Sequence, residues 1–73
     1  MSDKSFMIID MVKSLALLLI EKDNTLTMEQ ALFMVFNSDT YQKIINDKTH
    51  LYYQSPRYVF SFLDTELKTG KVG

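Results

Sequence analysis

Residues 5–22 read SFMIIDMVKSLALLLIEK, and this stretch decides the fold. At about 100° per residue, Ile8, Val12, Leu15 and Leu19 share one helical face, flanked by Met11, Ala16 and Ile9. Asp10, Ser14 and Glu21 mark the opposite side. Phe6 and Leu17 also fall on that polar side, so the apolar coverage is wider than one stripe. A helix apolar nearly all round is buried on more than one side. Either neighbouring helices cover both sides, or one side of this helix is an interface. Phe6 and Leu17 are therefore candidate partner-binding residues.

The same stretch raises the question of a membrane. A span needs about 20 predominantly apolar residues. Residues 6–20 are fewer and include Asp10 and Lys13. A secretory signal wants a basic start and an unbroken apolar block. Here Asp3 offsets Lys4 and Asp10 breaks the block. No membrane association is expected, and a cytoplasmic location is.

Outward from this helix, Asp23-Asn24-Thr25-Leu26-Thr27 breaks the pattern. Thr27 fits an N-cap, Gln30 stands at capping-box spacing, and Leu26 can staple onto Ala31. A second helix is predicted over 28–36. Asn37-Ser38-Asp39 ends it, and Ser38 or Asp39 can cap a third over 39–47, with Tyr41, Ile44 and Ile45 apolar. Residues 47–54 have weak periodicity and suit a loop or a brief extended piece. Ser55-Pro56 is a start signal, a cap residue followed by proline at the first helical position. The last helix is predicted over 56–68, with Val59, Phe60, Phe62, Leu63 and Leu67 apolar. Asn24, Asn37 and Asn46 stand near the helix ends. Asn follows Gly in preference for the left-handed residue that closes a helix, so left-handed asparagines are expected there. No hairpin turn and no sustained alternation competes with helix. The chain is thus predicted to be all-α, one domain over 1–73, a small bundle of three to four short helices. Residues 1–4 and 69–73 are expected to fray.

Composition narrows the chemistry. The chain has 73 residues, no Cys, one His and two glycines, Gly70 and Gly73. Without Cys there is no disulfide framework, thiol nucleophile or Cys-ligated zinc. Without Gly before position 70, no phosphate loop or dinucleotide fingerprint can be written. No cofactor and no metal site are expected. So short a chain has a marginal core, and such domains usually add a disulfide, a metal or a second chain. A protein partner or a homo-oligomer is the expected supplement.

The net charge of -1 and a pI of about 5.6 disfavour a nucleic-acid partner. The alternative that keeps one is a helix-turn-helix over 28–47, reading DNA through Gln42, Lys43 and Asn46. Asp39 and Asp47 would repel phosphates there. An enzymatic alternative needs Asp47, His50 and Ser55 to converge, since a catalytic His requires a nucleophile or carboxylate within reach. No small-molecule substrate is suggested. Tyr41, Tyr52, Tyr53 and Tyr58, with Phe60 and Phe62, make the second half aromatic-rich. Tyrosine suits both cores and interfaces, having one apolar end and one that hydrogen-bonds. Tyr52, Tyr53 and Tyr58 join Phe6 and Leu17 as candidate partner-binding residues.

Ser38 with Tyr41, then Thr49-x-Leu51-Tyr52, then Ser55-Pro56-x-Tyr58-Val59 resemble a pattern in short uncharacterised bacterial helical proteins. Proteins of that kind are sometimes encoded beside toxin-like genes. The resemblance implies a non-enzymatic accessory or antitoxin-like role and supplies no catalytic residue. It also implies Gly where this chain has His50, a departure expected to remove a tight turn.

Overall fold

The computed structural model describes residues 3–69. Four α-helices follow in chain order: α1 Asp3–Lys22, α2 Met28–Phe36, α3 Asp39–Ile45 and α4 Pro56–Thr69. A 3₁₀ turn, Leu51–Tyr53, lies between α3 and α4. The chain is a small all-α bundle in which α1 and α3 each touch every other element, and α1 packs most extensively, above all on α2. Asp3, Lys4 and Thr69, expected to fray, belong to α1 and α4; the remaining terminal residues lie outside those described.

The core forms where the stripes of these helices meet. Met11, Val12, Leu15, Ala16 and Leu19 are buried on α1, an i, i+1, i+4, i+5 pattern that runs down one face. Ala31 and Val35 meet them from α2, Ile44 from α3, and Val59, Phe60 and Leu63 from α4. Ile9, expected to flank this face, is exposed instead. Of the apolar set on α4, Phe62 is half-buried and Leu67 exposed.

The connections are made by short polar side chains. After α1, the Asp23 carboxylate accepts from the Thr25 N–H at 3.1 Å and from its hydroxyl at 2.5 Å. The hydroxyl and then the backbone bond hold Asp23 below the usual carboxylate range. The capping box forms in full: Gln30 N–H donates to Thr27 Oγ1, and Thr27 N–H donates to Gln30 Oε1. Leu26, the proposed staple, is half-buried against the core. Two residues suffice between α2 and α3. The Ser38 hydroxyl donates to the Val35 carbonyl at 2.6 Å, and its oxygen accepts from Tyr41 N–H at 3.0 Å. One side chain thus closes one helix and opens the next. Ser55 Oγ accepts from Tyr58 N–H and caps α4, with Pro56 in the first turn.

Two local expectations are corrected. The asparagines are not left-handed: Asn37 has φ -95° and Asn46 φ -83°. Asn37 instead donates its side-chain amide to the Phe33 carbonyl, and Asn46 Oδ1 accepts from Lys48 N–H. At Asn37 the reason is length. The next residue must be the extended cap of α3, which leaves no room for a left-handed closing residue. Among the described residues, the one non-glycine with positive φ is His50, at φ 53° and ψ 24°. The turn that a glycine would have made is therefore kept, with histidine in it. Residues 47–54 form the expected loop except at Leu51–Tyr53, which is a 3₁₀ turn rather than an extended piece. α3 stops at Ile45, and the Thr49 hydroxyl, set against the Lys43 and Asn46 carbonyls, holds the turn that leads into Leu51–Tyr53.

A side chain in the left-handed region costs roughly 1–2 kcal/mol that glycine does not incur, offset in part by the extra freedom of unfolded glycine. His50→Gly is accordingly expected to raise stability by about 0.5–1 kcal/mol. A urea midpoint that falls or stays level for H50G would show that the imidazole itself stabilises the turn.

Candidate functional site

α1 is flanked by α2 on one side and by the 3₁₀ turn and α4 on the other. Neither neighbour reaches its outer face. Phe6 is 66% exposed and Leu17 57%. Both lie on the side opposite the buried stripe, together with the exposed Asp10 and Lys13. The solvent side of α1 thus carries apolar side chains toward its two ends and opposite charges between them.

A furrow runs beside this face, between α1 and the segment from the 3₁₀ turn into α4. Its first part, about 200 Å³, is bounded by Phe6, Asp10, Tyr52, Tyr53 and Pro56. The middle part, about 410 Å³, lies among Ser14, Leu17, Pro56 and Arg57. The last, about 290 Å³, reaches Glu21, Phe60 and Asp64. Pro56 joins the first two parts, and Leu18 and Arg57 join the last two. The furrow brings together four of the five sequence-derived contact residues: Phe6, Leu17, Tyr52 and Tyr53.

The tyrosines divide. Tyr53 is 61% exposed and stands at the rim. Tyr52 is only 8% exposed and belongs to the core, which corrects its expected place on the contact surface. The 3₁₀ turn is the reason: it packs against both α1 and α3, so Leu51 and Tyr52 turn inward and Tyr53 outward. Burial pushes the Tyr52 phenol up, and neighbouring Tyr53 and Asp47 add to this. Lys4 stands 5.9 Å from the Tyr52 ring centroid and pairs with Asp47, whose hydrogen bond raises the lysine. Tyr58 is exposed but lies outside the furrow, with its ring edge-on to Phe62 at 5.3 Å between centroids.

The far end of the furrow is tied by charge. Asp64 lies between Lys68 at 3.0 Å and Lys22 at 3.2 Å, and these bonds hold its carboxyl below the usual range. Lys22 also lies 5.5 Å from the centroid of the Phe60 ring. α1 and α4 are thereby joined at the surface as well as in the core.

The three residues of the catalytic alternative have contacts with other parts of the chain. Asp47 pairs with Lys4, the His50 ring lies beside Tyr53 at 6.2 Å, and Ser55 caps α4. Among the described residues no group of three or more His, Cys, Asp or Glu could hold a metal ion. No described helix is long and apolar enough to cross a membrane.

The proposed recognition helix, α3, keeps Gln42, Lys43 and Asn46 exposed. Its N-terminus is occupied. Glu66 of α4 accepts from Asp39 N–H at 2.7 Å, from Thr40 N–H at 2.9 Å and from the Thr40 hydroxyl at 2.8 Å. Burial pushes the Glu66 carboxyl up, but the Asp39 N–H, the Thr40 hydroxyl and the Thr40 N–H together outweigh it and leave the group lowered. A phosphate approaching this helix end would meet a carboxylate.

Sequence reasoning missed two features of the surface. Phe33 on α2 is 69% exposed, and Ile9 is exposed on α1. The signal for Phe33 was present: a nine-residue helix that is apolar nearly all round cannot bury every side in so small a bundle. Glu66 had no comparable signal, since its partners lie 26 and 27 residues away. Comparison of the chain with protein-family models, with curated proteins and with solved structures finds no match.

Proposed function

We propose that this chain is a small protein–protein interaction module that acts by docking. Its contact surface is the outer face of α1 with the adjoining furrow, and its anchors are Phe6, Leu17 and Tyr53. The observation that carries this is the exposure of those three large side chains along one furrow. A soluble chain rarely leaves a run of apolar side chains in water without a use for it. Aromatic and aliphatic anchors contribute most to binding when they enter a partner's pocket. An accessory, antitoxin-like role is one form of this function, in which the module occludes part of a neighbouring gene product.

The test uses the intact chain as bait in native cell extract, beside Phe6→Ala/Leu17→Ala. Both side chains are exposed, so the double variant is expected to keep wild-type stability within about 0.5 kcal/mol. Recovery of the specific partner is expected to fall at least about tenfold, as for loss of two anchors worth roughly 1 kcal/mol or more each. Equal recovery by the folded double variant would overturn this assignment of the surface.

A further inference from the structure

The outer stripe of α1 has an internal symmetry. Phe6, Asp10, Lys13 and Leu17 are spaced four, three and four residues apart. At about 100° per residue they fall within roughly 60° of arc, opposite the buried face. All four are exposed. Asp10 and Lys13 carry opposite charges, and neither takes part in an ion pair among the described residues. The order apolar, acid, base, apolar reads the same backwards once the two charges are exchanged. That is the condition for a surface to complement its own copy across a two-fold axis, where residue i meets j and j meets i.

We propose that the outer face of α1 pairs with α1 of a second copy, antiparallel, about a two-fold axis near the midpoint of Asp10 and Lys13. This rests on the outer face of α1 being a protein-contact surface. In this arrangement Phe6 packs on the second copy's Leu17, and Asp10 lies against its Lys13. Each contact occurs twice. The four-three-four spacing is that of a two-helix seam, with the positions most enclosed by the partner helix held by the four stripe residues. The stripe from Phe6 to Leu17 runs roughly 16 Å, about three helical turns. Ile9, exposed beside it, extends the apolar margin. Charge sets the direction. A parallel pair would place Asp10 on Asp10 and Lys13 on Lys13, so only the antiparallel pair brings opposite charges together. The same pairing would supply the additional burial that a chain of this size lacks.

Sedimentation equilibrium at low salt tests the pairing with four proteins: wild type, D10K, K13D and D10K/K13D. All the changes are at exposed positions, and circular dichroism checks that each protein stays helical. Wild type is expected to dimerise, with affinity that weakens as salt rises. Each single swap sets like charges against each other twice and is expected to raise the dimer Kd at least about tenfold. The double swap restores opposite charges and is expected to return the Kd to within about threefold of wild type. A wild-type chain monomeric up to about 0.5 mM at low salt, a dimer indifferent to the single swaps, or a double swap no better than the singles would each overturn the proposal. If the chain is monomeric while Phe6→Ala/Leu17→Ala still loses a different protein from the extract, self-pairing falls and the contact surface stands. If neither experiment responds, both fall.

Discussion

Leu15→Ala is expected to cost about 3–4 kcal/mol and to lower the unfolding temperature by roughly 12–32 °C. Leu15 is fully buried in the middle of α1, the helix with the most extensive packing on the other elements. Its truncation removes apolar transfer energy and leaves a cavity where α1 meets the remaining helices, and these are too short to collapse into it without losing contacts elsewhere. A domain of this size has roughly 4–11 kcal/mol of total stability at the usual range per residue. With no cysteine, there is no disulfide to limit the unfolded state. The loss is therefore a large fraction of the whole. Leu67→Ala, exposed on α4 and away from the outer face of α1, is the internal control and is expected to change stability by less than about 0.5 kcal/mol. Urea denaturation with an unchanged slope measures both. A cost under about 1.5 kcal/mol at Leu15, or equal costs at the two sites, would contradict the packing described.

Glu66→Ala is expected to cost about 2–3 kcal/mol, a large effect for a part-exposed carboxylate. The loss falls mainly on its partners. Thr40 is fully buried, and without Glu66 its hydroxyl and N–H lose the acceptor they share. Glu66→Gln is expected to cost less, roughly 1 kcal/mol, because the amide oxygen can still accept from Thr40 while the NH₂ faces the Asp39 N–H, donor against donor. The carboxylate also makes the contribution pH-dependent. Its folded value is held below the ordinary 4.5, so the stabilisation is fully present above that value. It is lost as pH falls through the lowered folded value. The stability difference between wild type and E66Q should therefore be constant near neutrality and shrink in acid below about pH 4.5. Using E66Q as the reference removes the parallel titration of Asp23 and Asp64, which are lowered in both proteins. A difference that stays constant into acid would mean that the carboxylate charge contributes nothing to the cap.

Most of the helices were legible because their causes are local. Thr27 with Gln30, Ser38 with Tyr41, and Ser55 with Pro56 place the starts of α2, α3 and α4, since a cap and its first turn lie within four residues of each other. The stripe from Ile8 to Leu19 predicts α1 for the same kind of reason. The candidate surface was partly legible. Phe6 and Leu17 stand off the buried face by periodicity alone, and the structure leaves both exposed. Tyr52 and Tyr53 cannot be told apart in sequence, being adjacent and identical. Only the packing of the 3₁₀ turn on α1 and α3 sends one inward and the other to the furrow rim.

By itself, then, the amino-acid sequence determined the class of the fold, the starts of its later helices and the wide apolar girdle of α1. These follow from hydrogen bonds and side-chain spacings within a few residues. Tertiary structure alone decided which part of that girdle stays in water, that His50 rather than an asparagine takes the left-handed turn, and that Glu66 closes the N-terminus of α3 from 26 residues away. Each of those outcomes depends on which elements meet, and that is settled by the burial of whole helical faces rather than by any local preference of the chain.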